Sequence, residues 1–272
     1  MLHVEHLSKA YGDVEAIGDL TFDVEAGELV CVVGPSGCGK TTLLKCVAGL
    51  LAPSGGTVEL EGRRVDGPPD TMALVFQEYS RSLFPWMTVR QNVAFPLRRK
   101  KLPDAARTVE EALGSVGLSH ALDRYPWQLS GGMQQRVAIA RALAYQPRIL
   151  LMDEPFASVD AQTRADLEDL VLEVRQRYDV TIVFVTHDID EAVYLGQRVL
   201  ILSNSPTVIR QDLTIDLPDE RDQLHTRSSQ RFAELRAQVY SQIHRPREET
   251  PGAVHTQAPD ILPPAVDSGV TA

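Results

Sequence analysis

The sequence predicts an α/β protein built on a parallel, helix-covered sheet, and three observations carry that prediction. Leu29 to Val33 is a continuously apolar run that feeds the glycine-rich stretch GPSGCGKTT and then a segment of helical apolar spacing. Further apolar runs at 148–153, 180–186 and 198–202 have the length of strands buried on both faces. Between the first two of these, Leu167, Leu170, Val171, Val174 and Tyr178 recur at helical spacing, and strands alternating with such helices pair in parallel.

Around that core the elements follow in order. HVEHLSKA at 3–10, LTFDVEAGELVCVVG at 20–34 and GTVELEG at 56–62 show near-alternating apolar residues between Gly- or Asp-rich turns, which predicts a strand-rich opening. MALVFQ at 72–77 reads as a further strand. From about 87 to 147 the character changes: Asp104 is placed to cap a helix whose stripe is Val109, Ala112, Leu113 and Val116, ended by Gly117. This stretch is expected to be a mostly helical insertion. Residues 228–244 carry another amphipathic pattern in Phe232, Leu235, Val239 and Ile243. Beyond them Pro246, Pro251, Pro259, Pro263 and Pro264 predict a disordered tail over 245–272.

Composition excludes several functions. With 272 residues and 43% hydrophobic content the chain has enough apolar material for a core. Lys and Arg number 27 against 37 for Asp and Glu, a net charge of −10, which argues against a general nucleic-acid binder. Cys31, Cys38 and Cys46 form no CxxC pair and leave an odd count, so neither a disulfide framework nor a zinc cage is expected, and a reducing cytoplasm suits them. The opening MLHVEHLSKAYGD has no basic flank leading into an apolar stretch, and no run approaches 18 uncharged apolar residues. Neither export nor membrane spanning is expected.

Three motifs carry the chemistry. Gly34, Pro35, Ser36, Gly37, Cys38, Gly39, Lys40 and Thr41 match G-x-x-x-x-G-K-[ST] between a strand and a helix. Glycines let such a loop wrap around phosphates, helix N–H groups point at the anion, and Lys40 places a cation near the β and γ oxygens. Thr41 offers its hydroxyl to Mg²⁺, and Thr42 lies near the α-phosphate. The second motif, ILLMDE at 149–154, delivers two adjacent carboxylates at a strand's carboxyl end. Asp153 is expected to hold Mg²⁺, and Glu154 to orient and polarise the attacking water as general base. The third, LSGGMQQR at 129–136, opens a helix with Ser130 as N-cap and Gly131 and Gly132 exposing backbone donors, a second anion site lacking its own lysine.

With these motifs in this order the sequence resembles the ATPase subunits of ATP-binding-cassette transporters, LSGGMQQ being their signature. The resemblance covers roughly 1–244 and implies one ATPase domain with a P-loop NTPase (RecA-like) core, an N-terminal antiparallel β subdomain and the α-helical subdomain inserted at about 87–147. It implies a head-to-tail pair of copies in which Ser130, Gly131 and Gly132 of one close on ATP held by Gly34–Thr42 of the other. Tyr11 resembles the aromatic that stacks on adenine. Gln77 resembles the glutamine that touches Mg²⁺ and the water while linking the site to the membrane partner. Asp160 resembles the aspartate of the D-loop, where Val159 stands in place of the usual Leu, and His187 the histidine that contacts the γ-phosphate and the water of Glu154. Paired cassettes in one chain, a coiled-coil insertion or zinc cysteines would mark a soluble cassette of DNA repair or translation, and NKxD would mark a GTPase; the sequence has none of them.

FQEYSRSLFPWMTV, YPWQLSGGMQQRVAIARAL and MDEPFASVDAQTR are most similar to the nitrate, sulfonate and taurine branch of bacterial importers. That implies separate transmembrane permease subunits, indirectly a solute-binding protein, and a peripheral place on the cytoplasmic face of the inner membrane. Leu83, Phe84, Trp86, Met87 and Val89 are expected either to dock that permease or to pack the helical region. Arg98, Arg99, Lys100 and Lys101 form a basic run, read as a solvated face ahead of a headgroup contact. Cys38 lies by a helix N-terminus, which favours a thiolate, although its size suits a simple loop filler.

Overall fold

The computed structural model describes residues 1–78, 82–98, 100 and 104–244. The expected tail at 245–272, with Arg99 and Lys101 of the basic run, lies outside the described residues. The chain opens with an antiparallel hairpin of β1 (Leu2–Tyr11) and β2 (Val14–Val24). Leu2, Val4 and Leu7 on one strand and Leu20, Phe22 and Val24 on the other are buried, the one-sided pattern of a sheet with a single covered face. The apolar stretch at 20–34 is two strands rather than one. A turn in which the N–H of Glu25 donates to the Glu28 carboxylate at 2.9 Å separates β2 from β3 (Leu29–Val33). β2 also starts earlier than its apolar pattern, because Val14, Glu15 and Ile17 pair with Tyr11, Ala10 and Lys9 of β1 across the hairpin.

After β3 come α1 (Lys40–Val47), β4 (Gly55–Leu60), β5 (Arg63–Arg64) and β6 (Met72–Val75). The described chain between β6 and β7 is helical, with α2 (Val89–Ala94), α3 (Ala105–Ser115) and α4 (Gly131–Ala144). Their starts follow from local capping. Thr88 and Gln91 form a reciprocal capping box, Asp104 accepts from the Arg107 N–H, and Ser130 accepts from the Met133 N–H. Val109, Ala112, Leu113 and Val116 are buried, as their spacing requires. The rest is β7 (Ile149–Asp153), α5 (Ala161–Tyr178), β8 (Thr181–Val185), α6 (Ile189–Leu195), β9 (Arg198–Leu202), β10 (Thr207–Thr214), α7 (His225–Ser228) and α8 (Gln230–Ile243).

All strands join one sheet in the order β5-β4-β1-β2-β10-β9-β3-β8-β7-β6. β9, β3, β8, β7 and β6 are parallel neighbours. β10 runs antiparallel to β9 and parallel to β2, so it joins the antiparallel opening to the parallel core. Alternate residues of β3 serve two cores: Leu29, Cys31 and Val33 pack with the helices α3, α4 and α5, while Val30 and Val32 pack with α1 and the opening strands. A strand buried on both faces reads as continuously apolar for this reason.

Candidate active site

The adjacent parallel strands β3, β8, β7 and β6 end on the same side of the sheet, where open α/β sheets bind ligands. β3 delivers Gly34–Thr42, β8 delivers His187, β7 ends on Asp153 and is followed by Glu154, and β6 leads to Gln77. Gln77 lies two residues past the strand rather than ending it, since β6 stops at Val75.

Gly34 closes β3 in a space where an added Cβ would stand 2.9 Å from both Cys38 Sγ and Leu202 Cβ. Gly39, the N-cap of α1, has φ +100°, a left-handed backbone that glycine adopts without steric cost. No side chain caps α1, so its first-turn N–H groups are left to donate to an anion. Lys40 is buried, and its Nζ donates to the carbonyls of Gly34 at 2.9 Å and Pro35 at 3.1 Å, with Glu154 Oε1 at 3.9 Å. These polar contacts offset the cost of taking the ammonium out of water. Thr207, on β10, donates its hydroxyl to the Cys38 carbonyl from below. Sequence reasoning missed that support together with its strand.

The two carboxylates face different partners. Asp153 is buried, its Oδ1 accepts from Thr41 Oγ1 at 3.3 Å, and burial pushes its carboxyl up while the Thr41 hydrogen bond opposes and the neighbouring Glu154 adds to the rise. Glu154 Oε2 accepts from Gln77 Nε2 at 3.2 Å and stands 3.0 Å from His187 Nδ1. Glu154 therefore gathers Lys40, Gln77 and His187 around one carboxylate. The imidazole of His187 is 55% exposed, free to meet a ligand above it.

Other expected residues stand apart from this cluster. Tyr11, 51% exposed, ends β1, with the Lys9 ammonium 5.4 Å from its ring centroid. Ser130 caps α4, Gly131 is exposed, and Gly132 is buried against Thr163 of α5. Asp160 caps α5, accepting from the Thr163 N–H at 3.0 Å and hydroxyl at 2.7 Å, bonds that hold its carboxyl below the usual carboxylate range. Thr42 is half-buried on α1.

The structure decides between the readings left open at three places. Cys38 does not favour a thiolate: the side chain is buried, and burial pushes its thiol up against the opposing charge of Lys40. Its role is to fill the loop. Of the apolar residues after Gln77, Leu83 and Val89 are core, whereas Trp86 is 70% exposed. Lys100 is no freely solvated charge, since its ammonium lies 3.8 Å from the centroid of the Tyr145 ring.

Comparison with known proteins shows the family of this chain. Residues 17–157 of the 272 match the family described as ABC transporter. The nitrate import ATP-binding protein NrtD of Synechocystis sp. is 47% identical over 213 residues, 78% of this chain and 79% of that protein. The taurine import ATP-binding protein TauB of Jannaschia sp. is 40% identical over 252 residues, 91% of this chain and 93% of that protein. The dimeric bacterial ABC transporter cassette MJ0796 matches with a TM-score of 0.70 at 30% identity, over 80% of this chain and 100% of that one. The same cassette in a post-hydrolysis state bound to ADP and Pi matches with a TM-score of 0.69. This chain belongs to the ABC transporter family and has the fold of its ATP-binding cassettes.

Proposed function

We propose that the chain is the ATP-hydrolysing subunit of an importer, paired head-to-tail with a second copy and coupled to separate permease subunits. The observation that carries this reading is the Glu154 carboxylate, gathered by Lys40, Gln77 and His187 beside the Thr41–Asp153 pair. In this reading the triphosphate lies along Gly34, Pro35, Ser36, Gly37, Cys38, Gly39, Lys40, Thr41 and Thr42, and Lys40 neutralises the β and γ oxygens. Water attacks the γ-phosphorus, the bond to the β–γ bridging oxygen breaks, and Glu154 takes the water's proton. His187 and Gln77 orient that carboxylate and the water. Tyr11 stacks on adenine, and Ser130, Gly131 and Gly132, with Asp160 nearby, complete the site of the partner copy.

Mg²⁺ fits these residues. Thr41 and Asp153 present hard oxygen donors 3.3 Å apart, and Gln77 adds an amide oxygen. Among the described residues no group of three or more His, Cys, Asp or Glu forms a cage, as suits an ion that binds one or two protein oxygens together with phosphates and water. When bound, Mg²⁺ neutralises charge on the phosphate oxygens.

The permease site in this proposal is the groove of about 440 Å³ bordered by Met72, Phe76, Phe84, Phe95 and Arg141, with Trp86 exposed beside it. Phe84 packs on Phe95 and Trp86 at centroid distances of 4.6 and 5.6 Å, which makes a rigid aromatic ridge for a partner. Among the described residues no helix is long and apolar enough to cross a membrane. In this reading separate permease subunits supply the spanning segments, and the chain sits peripherally at the cytoplasmic face of the inner membrane. Relatives acting on nitrate and taurine support a small anion of the nitrate, sulfonate and taurine class as solute, delivered by a solute-binding protein. They do not favour a role in DNA repair or translation, and the charge of −10 argues against nucleic acid.

The test is Glu154→Gln. It is expected to bind ATP, lose about 100-fold or more in turnover and accumulate as an ATP-bound dimer in size-exclusion chromatography. Near-normal turnover, or a strictly monomeric ATP-bound form, would reject the reading.

A further inference from the structure

We propose that Arg164, Asp188 and Glu191 are positioning residues that aim His187 at Glu154. The inference rests on the hydrolytic roles proposed above for those two residues. His187 is carried by the turn between β8 and α6, and among the described residues Glu154 is the one side chain bonded to its imidazole. An imidazole that is 55% exposed is not aimed by packing; its direction depends on the backbone beneath it.

That backbone is enclosed by a closed ring of polar contacts. Arg164 Nη1 stands 3.2 Å from Asp188 Oδ2. The Asp188 N–H donates to Thr186 Oγ1 at 3.0 Å, and the Thr186 hydroxyl donates to Glu191 Oε2 at 2.6 Å. Glu191 Oε1 faces Arg164 Nε at 3.4 Å, so the ring closes through an ion pair and not through a hydrogen bond. Thr186 and Asp188 flank His187, so the ring holds both ends of the peptide that carries it. Asp188 Oδ1 also accepts from the N–H groups of Asp190 and Glu191, which fixes the start of α6.

Arg164 anchors the ring to a different element. Its N–H donates to the Asp160 carbonyl at 2.9 Å in the first turn of α5, so the guanidinium bridges α5 to the turn of His187. Glu191 is 5% exposed, and a carboxylate so buried keeps its place through the hydroxyl and guanidinium facing it. Removing the guanidinium leaves Thr186 tied to a carboxylate without its counter-charge and frees Asp188 Oδ2, although Asp188 keeps its cap on α6. The expected consequence is a displaced imidazole with the nucleotide loop intact, because no member of the ring touches Gly34–Thr42 through a hydrogen bond or ion pair.

The experiment is a double-mutant cycle on ATPase turnover in the full chain. Arg164→Met is expected to lower kcat about tenfold while KM for ATP stays within about twofold, and Arg164→Lys to recover part of the loss. In a His187→Ala background the same Arg164→Met change is expected to cost less than about twofold further. Equal losses in both backgrounds, or unchanged kcat in the native background, would overturn the clamp. If thermal melts show that Arg164→Met does not fold, Asp188→Asn takes its place, since asparagine keeps the helix cap while removing the charge that faces Arg164. Unchanged turnover in His187→Ala alone would overturn the role given to His187 and the clamp with it. A deficit there with an additive Arg164 effect overturns the clamp alone.

Discussion

Raising the pH from 5 to 8 is expected to loosen this fold, and Glu191 sets most of the size. Its carboxyl is pushed up to about 7 from an ordinary 4.5, first by burial; the Thr186 hydrogen bond opposes the rise, the Asp188 and Glu168 carboxylates add to it, and Arg164 opposes it. Between those two values the folded chain holds a proton that the unfolded chain has released. The unfolded state therefore binds fewer protons, and stability falls as pH climbs through the window. At 1.36 kcal/mol per unit the displacement amounts to about 3 kcal/mol, fully present below 4.5 and lost above 7. Buried Glu168 and Asp153, also raised, lean the same way, and so does His3, raised by its hydrogen bond to Asp23. Asp160, Asp216, Asp222 and Glu234 are held low and titrate beneath the window. In a chain of this size about 3 kcal/mol shifts Tm by about 6–12 °C. Scanning calorimetry from pH 5 to 8 at fixed ionic strength measures the slope, and Glu191→Gln, which still accepts from Thr186 but carries no proton to release, is expected to flatten it. A wild-type Tm that rises across this range, or a variant with the wild-type slope, refutes the reasoning.

Two further outcomes follow from contacts already described. Gly132→Ala places a Cβ 2.3 Å from Thr163 Cγ2, so overpacking at this helix crossing is expected to destabilise the chain by about 1–3 kcal/mol despite the better helix propensity of alanine. Adding Thr163→Ser, which deletes the clashing methyl and keeps the hydroxyl on Asp160, is expected to restore the melting temperature; a double variant as unstable as the single one would place the clash elsewhere. Cys38, buried and pushed up, is expected to react with iodoacetamide at pH 7.5 about 100-fold more slowly in the native chain than in urea. Peptide mass spectrometry reads the rate, and labelling as fast as in the unfolded chain would show an accessible thiol.

The parts legible in the sequence are those whose pattern and chemistry coincide. β3, β7 and β8 are covered on both faces, so burial wrote itself as unbroken apolar runs, and α5 was marked by its stripe, although its Asp160 cap was not. β10 was not legible. Its TVIRQDLT is mostly half-exposed, with Arg210 and Asp212 breaking the alternation, and what defines it is pairing to β9 and β2 rather than an apolar pattern. α6 has seven residues, too few for a helical period to show, and its start depends on Asp188 turning back to cap it. The motif glycines and carboxylates were legible singly, but the ring of Arg164, Asp188, Glu191 and Thr186 was not. It joins α5 to a turn more than twenty residues away, and its only local trace is two acids spaced within one helical turn after His187.

The adjacency of Asp153 and Glu154 raises a geometric problem that the fold solves at one residue. Successive side chains on a strand point to opposite faces, so two neighbouring carboxylates continuing β7 could not both address one site. Glu154 instead has φ +42°, a left-handed backbone that costs a non-glycine residue about 1–2 kcal/mol. Its N–H still donates to the Val185 carbonyl at 2.9 Å, so pairing with the strand beside it continues one residue past β7. With the alternation broken there, Asp153 reaches Thr41 while Glu154 reaches Lys40, Gln77 and His187. A residue that relieved the backbone strain, such as glycine, would remove the carboxylate, and one that kept strand geometry would turn it away from Gln77 and His187. The strain therefore persists where the chemistry needs both acids, and the bond to Val185 is what holds it in place.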